Sequence, residues 1–364
     1  MRPGTTSCED QPLSQETLVP AIPAAWYCNP DIYEVERRHI FQREWLYLAH
    51  DAELPRPGDY LTADLAGFPL LLLRDQDSVL RCFHNVCRHR GAPLLLNEKG
   101  SLAGQGITCP YHGWTYARNG ELRQAPMCEN LDPEQRAGLG LLPVAVTSMR
   151  GLVFVNLAPS PEPFESVYRE LIAAIDGSGY AFTDYLFHSK VVREGMFNWK
   201  TWVDGYQECY HCPTTHPIFN RDFALRRYRV DCGERFARHS CERKRPSESG
   251  ADQGLWLWLY PNLGLPCYAP GFYTLQVNPL APARTRLTYT FHFHRDQIQA
   301  QIDEFIDFVD QVTNEDIAIC ERVQRNYQAG IFEQGVLVPG RENGVAYFHQ
   351  LLREAIDSRP GSQA

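Results

Sequence analysis

At 364 residues the chain is long enough for two domains, or for one large domain carrying an insertion. With 44% hydrophobic and 22% charged residues it has the makings of a sizeable core, and its net charge of −9 argues against nucleic acid or an anionic membrane surface as a partner. No uninterrupted apolar run approaches the ~20 residues of a membrane span. The first residues, Met1 to Ser7, lack a basic stretch followed by an apolar one, so no secretory signal is read there. The 12 Cys are therefore expected to be mostly reduced thiols in a reducing, cytoplasmic setting and not a disulfide framework. Neither a Gly-x-Gly-x-x-Gly turn after a strand nor a Walker loop is present, so the chain shows no nicotinamide or flavin site of its own.

Residues 1–25 are polar and Pro-rich and read as a loose arm. Residues 26–45 carry a leading helix, from Asp31 to Trp45, in which Ile32, Val35, Ile40 and Phe41 recur at roughly helical spacing; it is expected to pack on the C-terminal domain. Residues 46–158 read as short strands and turns. Phe68-Pro-Leu-Leu-Leu-Leu73 is a buried strand, Val79–Phe83 and Gly151–Asn156 are others, and Asn119-Gly120 marks a hairpin. Two loops of this all-β module hold metal-ligand pairs, Cys87-Arg-His89 and Cys109-Pro-Tyr-His112, nineteen residues apart. Pro and Gly beside the ligands break regular structure and turn the side chains toward one point. Two thiolates and two imidazoles suit zinc. They equally suit a Rieske [2Fe-2S] centre, with both Cys on one iron and both His on the other. The flanking Arg88, Arg90-Gly91 and Pro110-Tyr-His-Gly-Trp114 resemble the Rieske signature closely.

Pro159 to Pro163 reads as a linker, and residues 159–358 as a second, α+β domain. Its expected elements are a helix around Phe164–Ile175, a strand near Leu186–Glu194, a helix Trp199–Cys212, a β run from about Gly254 to His294, and a long helix Gln297–Arg325. On the second of these helices Asp204, Glu208 and His211 stand at i, i+4 and i+7, on one face. Pro213 ends that helix at Cys212, which lets His216 fold back toward His211. Two His so placed, with one carboxylate from elsewhere, make the facial triad of a mononuclear non-haem Fe(II) site. The long helix offers the carboxylate. Its apolar stripe runs Phe305, Val309, Val312, Ile319, Cys320 and Val323, and Asp316 falls on it, whereas Asp310 and Glu315 fall off it. A buried acid needs a partner, and a metal supplies one. Glu208 and Asp204 are expected beside the site, orienting its ligands. Cys209 and Cys212 invite a zinc reading; without a second Cys pair nearby they read as packing thiols.

With these motifs in place, the chain from about residue 26 to 355 resembles the catalytic α subunit of a Rieske non-haem iron oxygenase. The resemblance rests on Asn85-Val-Cys-Arg-His-Arg-Gly91, Cys109–Trp114, Asn198-Trp-Lys200, Glu208-Cys-Tyr-His-Cys-Pro-Thr-Thr-His-Pro217 and Glu315-Asp316. It implies a helix-grip, START-like catalytic domain after the Rieske domain. It implies Cys87, His89, Cys109 and His112 on the cluster, and His211, His216 and Asp316 on the iron. It implies a homotrimeric ring in which an electron passes from one subunit's Rieske His to the neighbour's iron through a carboxylate at position 208. Electrons would come from NAD(P)H through a separate reductase, with or without a ferredoxin. Ring-hydroxylating dioxygenases usually carry Asp at that position. Glu208 resembles the branch acting on choline, carnitine and glycine betaine, as do Trp258–Leu263, Tyr347-Phe-His349 and, more faintly, Tyr206-Gln-Glu208.

Leu255 to Tyr260 alternates without a break, so a strand there puts Trp256, Trp258 and Tyr260 on one face, with Tyr268 and Tyr273 close behind. Such a wall binds a trimethylammonium group by cation–π attraction, or simply packs against the long helix. The expected function is a terminal oxygenase that uses O2 to hydroxylate a small quaternary ammonium substrate. The alternatives are a Rieske hydroxylase or dioxygenase of an aromatic or natural-product substrate, a Rieske electron carrier and a zinc module.

Overall fold

Two seven-stranded antiparallel sheets organise the chain, one in each half. The computed structural model describes residues 17–102, 104, 106–128, 130–244 and 255–357. The first sheet runs, edge to edge, Leu46–His50, Leu152–Asn156, Pro143–Met149, Leu80–His84, Phe68–Arg74, Asp59–Leu65 and Lys99–Ser101. Leu70, Leu71, Leu72 and Leu73 are fully buried in it, because its two faces meet two different cores. A three-stranded sheet, Gly106–Thr108, Thr115–Ala117 and Leu122–Gln124, stands beside it and turns at Gly120, whose φ of +91° needs glycine.

The second sheet runs Tyr185–Gly195, Arg284–His294, Gly271–Ala281, Leu263–Cys267, Leu255–Leu259, Phe236–Ser240 and Arg229–Gly233. Its alternation sorts the side chains as expected. Leu255, Leu257 and Leu259 face a core built with Tyr47, Phe154, Phe164 and Tyr168. Trp258 and Tyr260 face the opposite core, under the helices Trp199–Tyr206, Gln299–Gln328 and Asn343–Asp357. Both faces are covered, so its central strands are buried throughout. This is the expected α+β arrangement, an all-β domain followed by a helix-covered antiparallel sheet.

Several local expectations give way. The leading helix spans Pro30–Glu36, capped by the Asn29 side chain, and continues only as a π-turn to Phe41. Of the expected loose arm, residues 1–16 lie outside the described residues, but Val19–Pro23 is a strand paired with Gln334–Leu337. Ile22 is buried there, and its N–H donates to His349 Nδ1 at 3.3 Å. The strands Arg229–Gly233 and Phe236–Ser240 were hidden by exposed polar residues at the sheet's edge. The helix at Asn343–Asp357 was not anticipated either.

Side-chain amides of the second sheet satisfy backbone groups of the first domain. Asn262 accepts from Tyr47 N–H at 3.0 Å and donates to Tyr47 O at 3.1 Å, and Asn278 accepts from Ala66 N–H at 2.9 Å. Glu53 draws in Lys99 and Lys190 from the two domains.

At the centre of the catalytic half lies a buried ion pair. Lys200 Nζ is 2.5 Å from Glu36 Oε1, both side chains fully buried, and Trp199 Nε1 donates to Glu36 Oε2 at 2.8 Å. Burial pushes the Lys200 ammonium pKa down, and Glu36 opposes that shift. The pair ties the leading helix to Trp199–Tyr206. Lys200→Met is expected to destabilise the protein by about 3–5 kcal/mol by stranding Glu36. Pairing it with Glu36→Gln should recover part of the loss, as read by urea denaturation of both variants.

Candidate functional site

The two ligand loops of the first domain are built alike. In one, Cys87 N–H donates to Ala92 O and Gly91 N–H to Cys87 O; in the other, Cys109 N–H donates to Trp114 O and Gly113 N–H to Cys109 O. Gly91 and Gly113, both at φ +72°, close these turns in a conformation that a side chain would strain. The four donors converge. The Cys109 thiol contacts Cys87, and the rings of His89 and His112 are 4.7 Å apart. Trp114 stacks on His89 at 4.9 Å, and Tyr116 OH lies 3.3 Å from Cys87 Sγ.

Burial divides the set in two. Cys87 and Cys109 are buried, while His89 and His112 are exposed. Burial first, and then the adjoining Cys87, push the Cys109 thiol pKa up, so a metal is what would draw the thiolate out. A two-iron cluster fits this polarity, its sulfur-held iron inward and its imidazole-held iron at the surface.

The second set meets beneath the catalytic sheet. His216 Nε2 is 3.0 Å and His211 Nε2 3.6 Å from the same Asp316 oxygen. Each imidazole is held at its other nitrogen by a carboxylate. His216 Nδ1 lies 2.7 Å from Glu315 Oε2, and His211 Nδ1 contacts Glu208 Oε1. That fixes both Nε2 atoms toward Asp316. Burial alone would lower the pKa of both imidazoles; Glu208 beside His211, and Asp316 and Glu315 beside His216, outweigh it and raise both. Three carboxylates around two imidazoles leave an excess of negative charge that a divalent cation matches, and the donor set is that of non-haem Fe(II). Cys212 Sγ lies 3.9 Å from His211 Nε2, but it is bonded to Cys209 and offers no thiolate.

This geometry differs from the helical expectation. The helix Trp199–Tyr206 stops six residues before Cys212. Glu208 takes the Tyr210 and His211 N–H groups with its side chain, so those donors leave the helical ladder. Glu208 and His211 are therefore neighbours in a turn. Asp204, still helical, contacts neither imidazole. It accepts from Tyr27 OH at 2.5 Å and from His349 Nε2 at 3.0 Å. Cys209 and Cys212, expected as packing thiols, form a disulfide across the same turn. On the long helix the buried positions are Ile302, Val309, Thr313, Cys320 and Gln324, and Ile319 is exposed. Asp316 falls between Thr313 and Cys320 on that inner face. Glu315 was passed over because it lies off the apolar stripe; its contact with His216 Nδ1 needs only the flank.

A cavity of about 140 Å³ opens beside His211, His216 and Asp316. Of the five aromatics expected to meet substrate, Trp256, Tyr268 and Tyr273 line it. Trp258 and Tyr260 do not. They share the face but lie further along it, where Phe348 packs edge-on against Trp258 at 5.4 Å. Tyr206, Tyr228, His239 and Phe308 also line it and were missed, His239 because its strand was. A second cavity, of about 220 Å³, lies on the other side of His211 and carries Asp204, Glu208 and Ile319. A larger cleft, of about 380 Å³, sits between the domains around Glu53 and contains none of the metal-facing residues.

Comparison with known proteins identifies both halves of the chain. The Rieske [2Fe-2S] domain matches residues 44–143, and the ring hydroxylating alpha subunit (catalytic domain) matches residues 182–358. The carnitine monooxygenase oxygenase subunit of Escherichia coli (strain K12) is 31% identical over 352 residues, covering 92% of this chain and 93% of its own. The chloroplastic choline monooxygenase of Spinacia oleracea is 29% identical, covering 92% of this chain and 78% of its own. The solved structure of a quaternary ammonium Rieske monooxygenase superposes with a TM-score of 0.83 at 27% identity, over 93% of this chain and 96% of that one. Among the described residues no helix is long and apolar enough to cross a membrane. The chain thus belongs to the Rieske non-haem iron oxygenase α subunits, in the branch of the carnitine and choline monooxygenases, as an O2-using oxidoreductase with a Rieske cluster and a mononuclear iron that draws electrons from a reductase.

Proposed function

We propose that this enzyme hydroxylates a small quaternary ammonium compound at a carbon next to nitrogen, using electrons passed between subunits of a homotrimer. The observation that carries the substrate class is the cavity wall. Tyr206, Tyr268, Tyr273, Tyr289 and Phe308 line it, and among the described residues the charged groups on the wall, apart from the imidazoles His211 and His216, are the acids Glu208 and Asp316. Aromatic faces backed by negative charge attract a trimethylammonium group, which offers no hydrogen-bond donor of its own. An aromatic or natural-product substrate would use the same wall without its charge.

His211, His216 and Asp316 would hold the iron, and Cys87, His89, Cys109 and His112 the cluster. Bound there, the iron supplies reductive activation of O2, which with two electrons and two protons gives one hydroxyl on substrate and one water. The chain's own residues do the rest. Glu315 and Glu208 keep Nε2 of each imidazole toward the metal, and the disulfide-closed turn holds His211 against the cavity. The aromatic wall keeps water from the reacting carbon. A hydroxyl formed next to nitrogen collapses to an aldehyde and a tertiary amine with release of the hydroxyl proton; on the alcohol carbon of choline it gives an aldehyde hydrate.

Complementary surfaces support the ring. The tip of the first domain shows His89, His112 and Tyr111, with Arg90 lying 5.5 Å over the Tyr111 ring. The second cavity offers Asp204 and Glu208 directly behind His211. The related quaternary ammonium monooxygenase has been described with inter-subunit electron transfer. Glu208 is then the bridge. A separate NAD(P)H-dependent reductase and a cytoplasmic setting complete the proposal; the nine free cysteines among the described residues suit such a setting.

Oxygen uptake should rise with a panel of quaternary amines and not with aromatic acids, given a surrogate reductase; the reverse pattern would reject the substrate class. His211→Ala should keep the cluster spectrum and lower iron from about three to about two per chain, while Cys87→Ser should bleach the cluster. Glu208→Gln should retain iron and assembly yet slow reoxidation of the reduced cluster in single-turnover stopped flow with substrate and O2. An unchanged rate would remove Glu208 from the electron path.

A further inference from the structure

The cavity wall contains three buried donors that no described residue satisfies, Trp202 Nε1 and, as an adjacent pair, His239 Nε2 and Trp256 Nε1. His239 and Trp256 are directly opposite each other on adjacent antiparallel strands, so their side chains leave the same face side by side. Both line the cavity, with 3% and 8% of their surface exposed. His239 Nε2 and Trp256 Nε1 have no hydrogen-bond partner among the described residues. Polar atoms so buried are normally paired, and a functional site is a common reason for an exception.

The proton on His239 can be placed. Burial pushes its pKa down to about 3, so the ring is neutral and carries one N–H. Tyr228 OH lies 2.7 Å from Nδ1. Burial first, and then the charge of Glu208, hold the Tyr228 phenol well above its ordinary pKa, so it keeps its hydrogen. Among the described residues that hydroxyl has no other hydrogen-bond partner. It therefore donates to Nδ1, and the His239 proton sits on Nε2. The Trp256 indole nitrogen is a donor in every state. The pair is two donors and no acceptor.

We propose that His239 Nε2–H and Trp256 Nε1–H together bind the carboxylate of a zwitterionic substrate and so select it over an alcohol or a bare alkylammonium. The inference rests on the quaternary ammonium reading only for the substrate's other end. The charge layout orients such a molecule. Glu208 and Asp316 stand at the metal side and attract the ammonium, whereas the Arg243 guanidinium acts on Tyr268 as a nearby positive charge. Arg243 also lies 5.1 Å over Phe223, whose ring meets Trp256 edge-on at 5.5 Å. A carboxylate at the donor pair leaves the carbons next to nitrogen facing the iron. A hydroxyl offers the pair one neutral oxygen where a carboxylate offers two charged ones, and an alkyl end accepts from neither.

Calorimetric titration of the holoenzyme with three probes tests this. The probes are γ-trimethylammonio-butanoate, its isostere with an isopropyl group in place of the carboxylate, and its isostere with carbon in place of nitrogen. The zwitterion should bind wild type about ten- to a hundredfold tighter than the isopropyl isostere, the range for charged hydrogen bonds. Trp256→Phe and His239→Leu should each remove most of that ratio, and His239→Gln, which restores an N–H, should recover part of it. Trp256→Phe keeps the ring and carries the test if His239→Leu does not fold, which iron content and the cluster spectrum report. A ratio near one in wild type, or one that survives both Trp256→Phe and His239→Leu, overturns the proposal. If the carbon isostere binds as tightly as the zwitterion while Trp256→Phe still weakens both, the donor pair stands and the ammonium reading falls.

Discussion

The catalytic half is arranged around one meeting of charges, the approach of Asp316 to two imidazoles about a hundred residues earlier in the chain. A carboxylate reaches that point only if its helix is fixed in both rotation and height. Neighbours on its inner face fix it. Thr313 Oγ1 donates to Tyr289 OH at 2.9 Å, and Cys320 Sγ approaches Thr201 O at 3.7 Å. Gln324 accepts from Asn198 N–H at 2.9 Å and donates to Tyr27 O at 3.0 Å. Two of these partners, Asn198 and Thr201, belong to the cap and first turn of the helix that leads into the histidine turn. The same docking that buries the long helix thus aligns Asp316 with the histidine turn, and the Lys200–Glu36 pair pins the shorter helix from behind.

The two centres have opposite relations to solvent. The first presents its imidazoles outward and its thiols inward, which suits a site where electrons leave through a protein surface. The second faces both imidazoles into an aromatic cavity, and His211 with Glu208 also borders a separate concavity. Glu208 thus lines both concavities. Its side chain also breaks the helix that a regular continuation would have made. One carboxylate shapes the backbone and touches the His211 ring.

Aromatic area and isolated donors divide the cavity between them. The tyrosine and phenylalanine faces provide a surface suited to a cation without hydrogen bonds, and His239 with Trp256 adds directional chemistry at one place. Trp258 and Tyr260 show how local such roles are. Trp258 shares a strand and a face with Trp256, and Tyr260 follows just past that strand's end, yet Trp258 packs edge-on against Phe348 of the helix Asn343–Asp357 and Tyr260 edge-on against Trp258. Strand periodicity assigns a side chain to a face; the packing of helices over that face decides which part stays open.

Much of this was legible in the residues. The Cys-x-His and Cys-x-x-His loops carry their glycines with them, because a left-handed turn is a local requirement, and the α+β order follows from hydrophobic periodicity. Asp316 could be chosen from the apolar stripe, although the stripe's true members put Ile319 outside. What the sequence did not contain was the set of contacts made across long separations. The early end of Trp199–Tyr206 came from a side chain competing for backbone donors. The placing of Asp204 on Tyr27 and His349 came from a short 3-10 turn and a helix at opposite ends of the described chain. Glu315 on His216, and the unpaired nitrogens of His239 and Trp256, exist only once the sheet has its register. Local chemistry is written in neighbouring residues, whereas a buried polar group's partner is decided by whichever distant element packs over it.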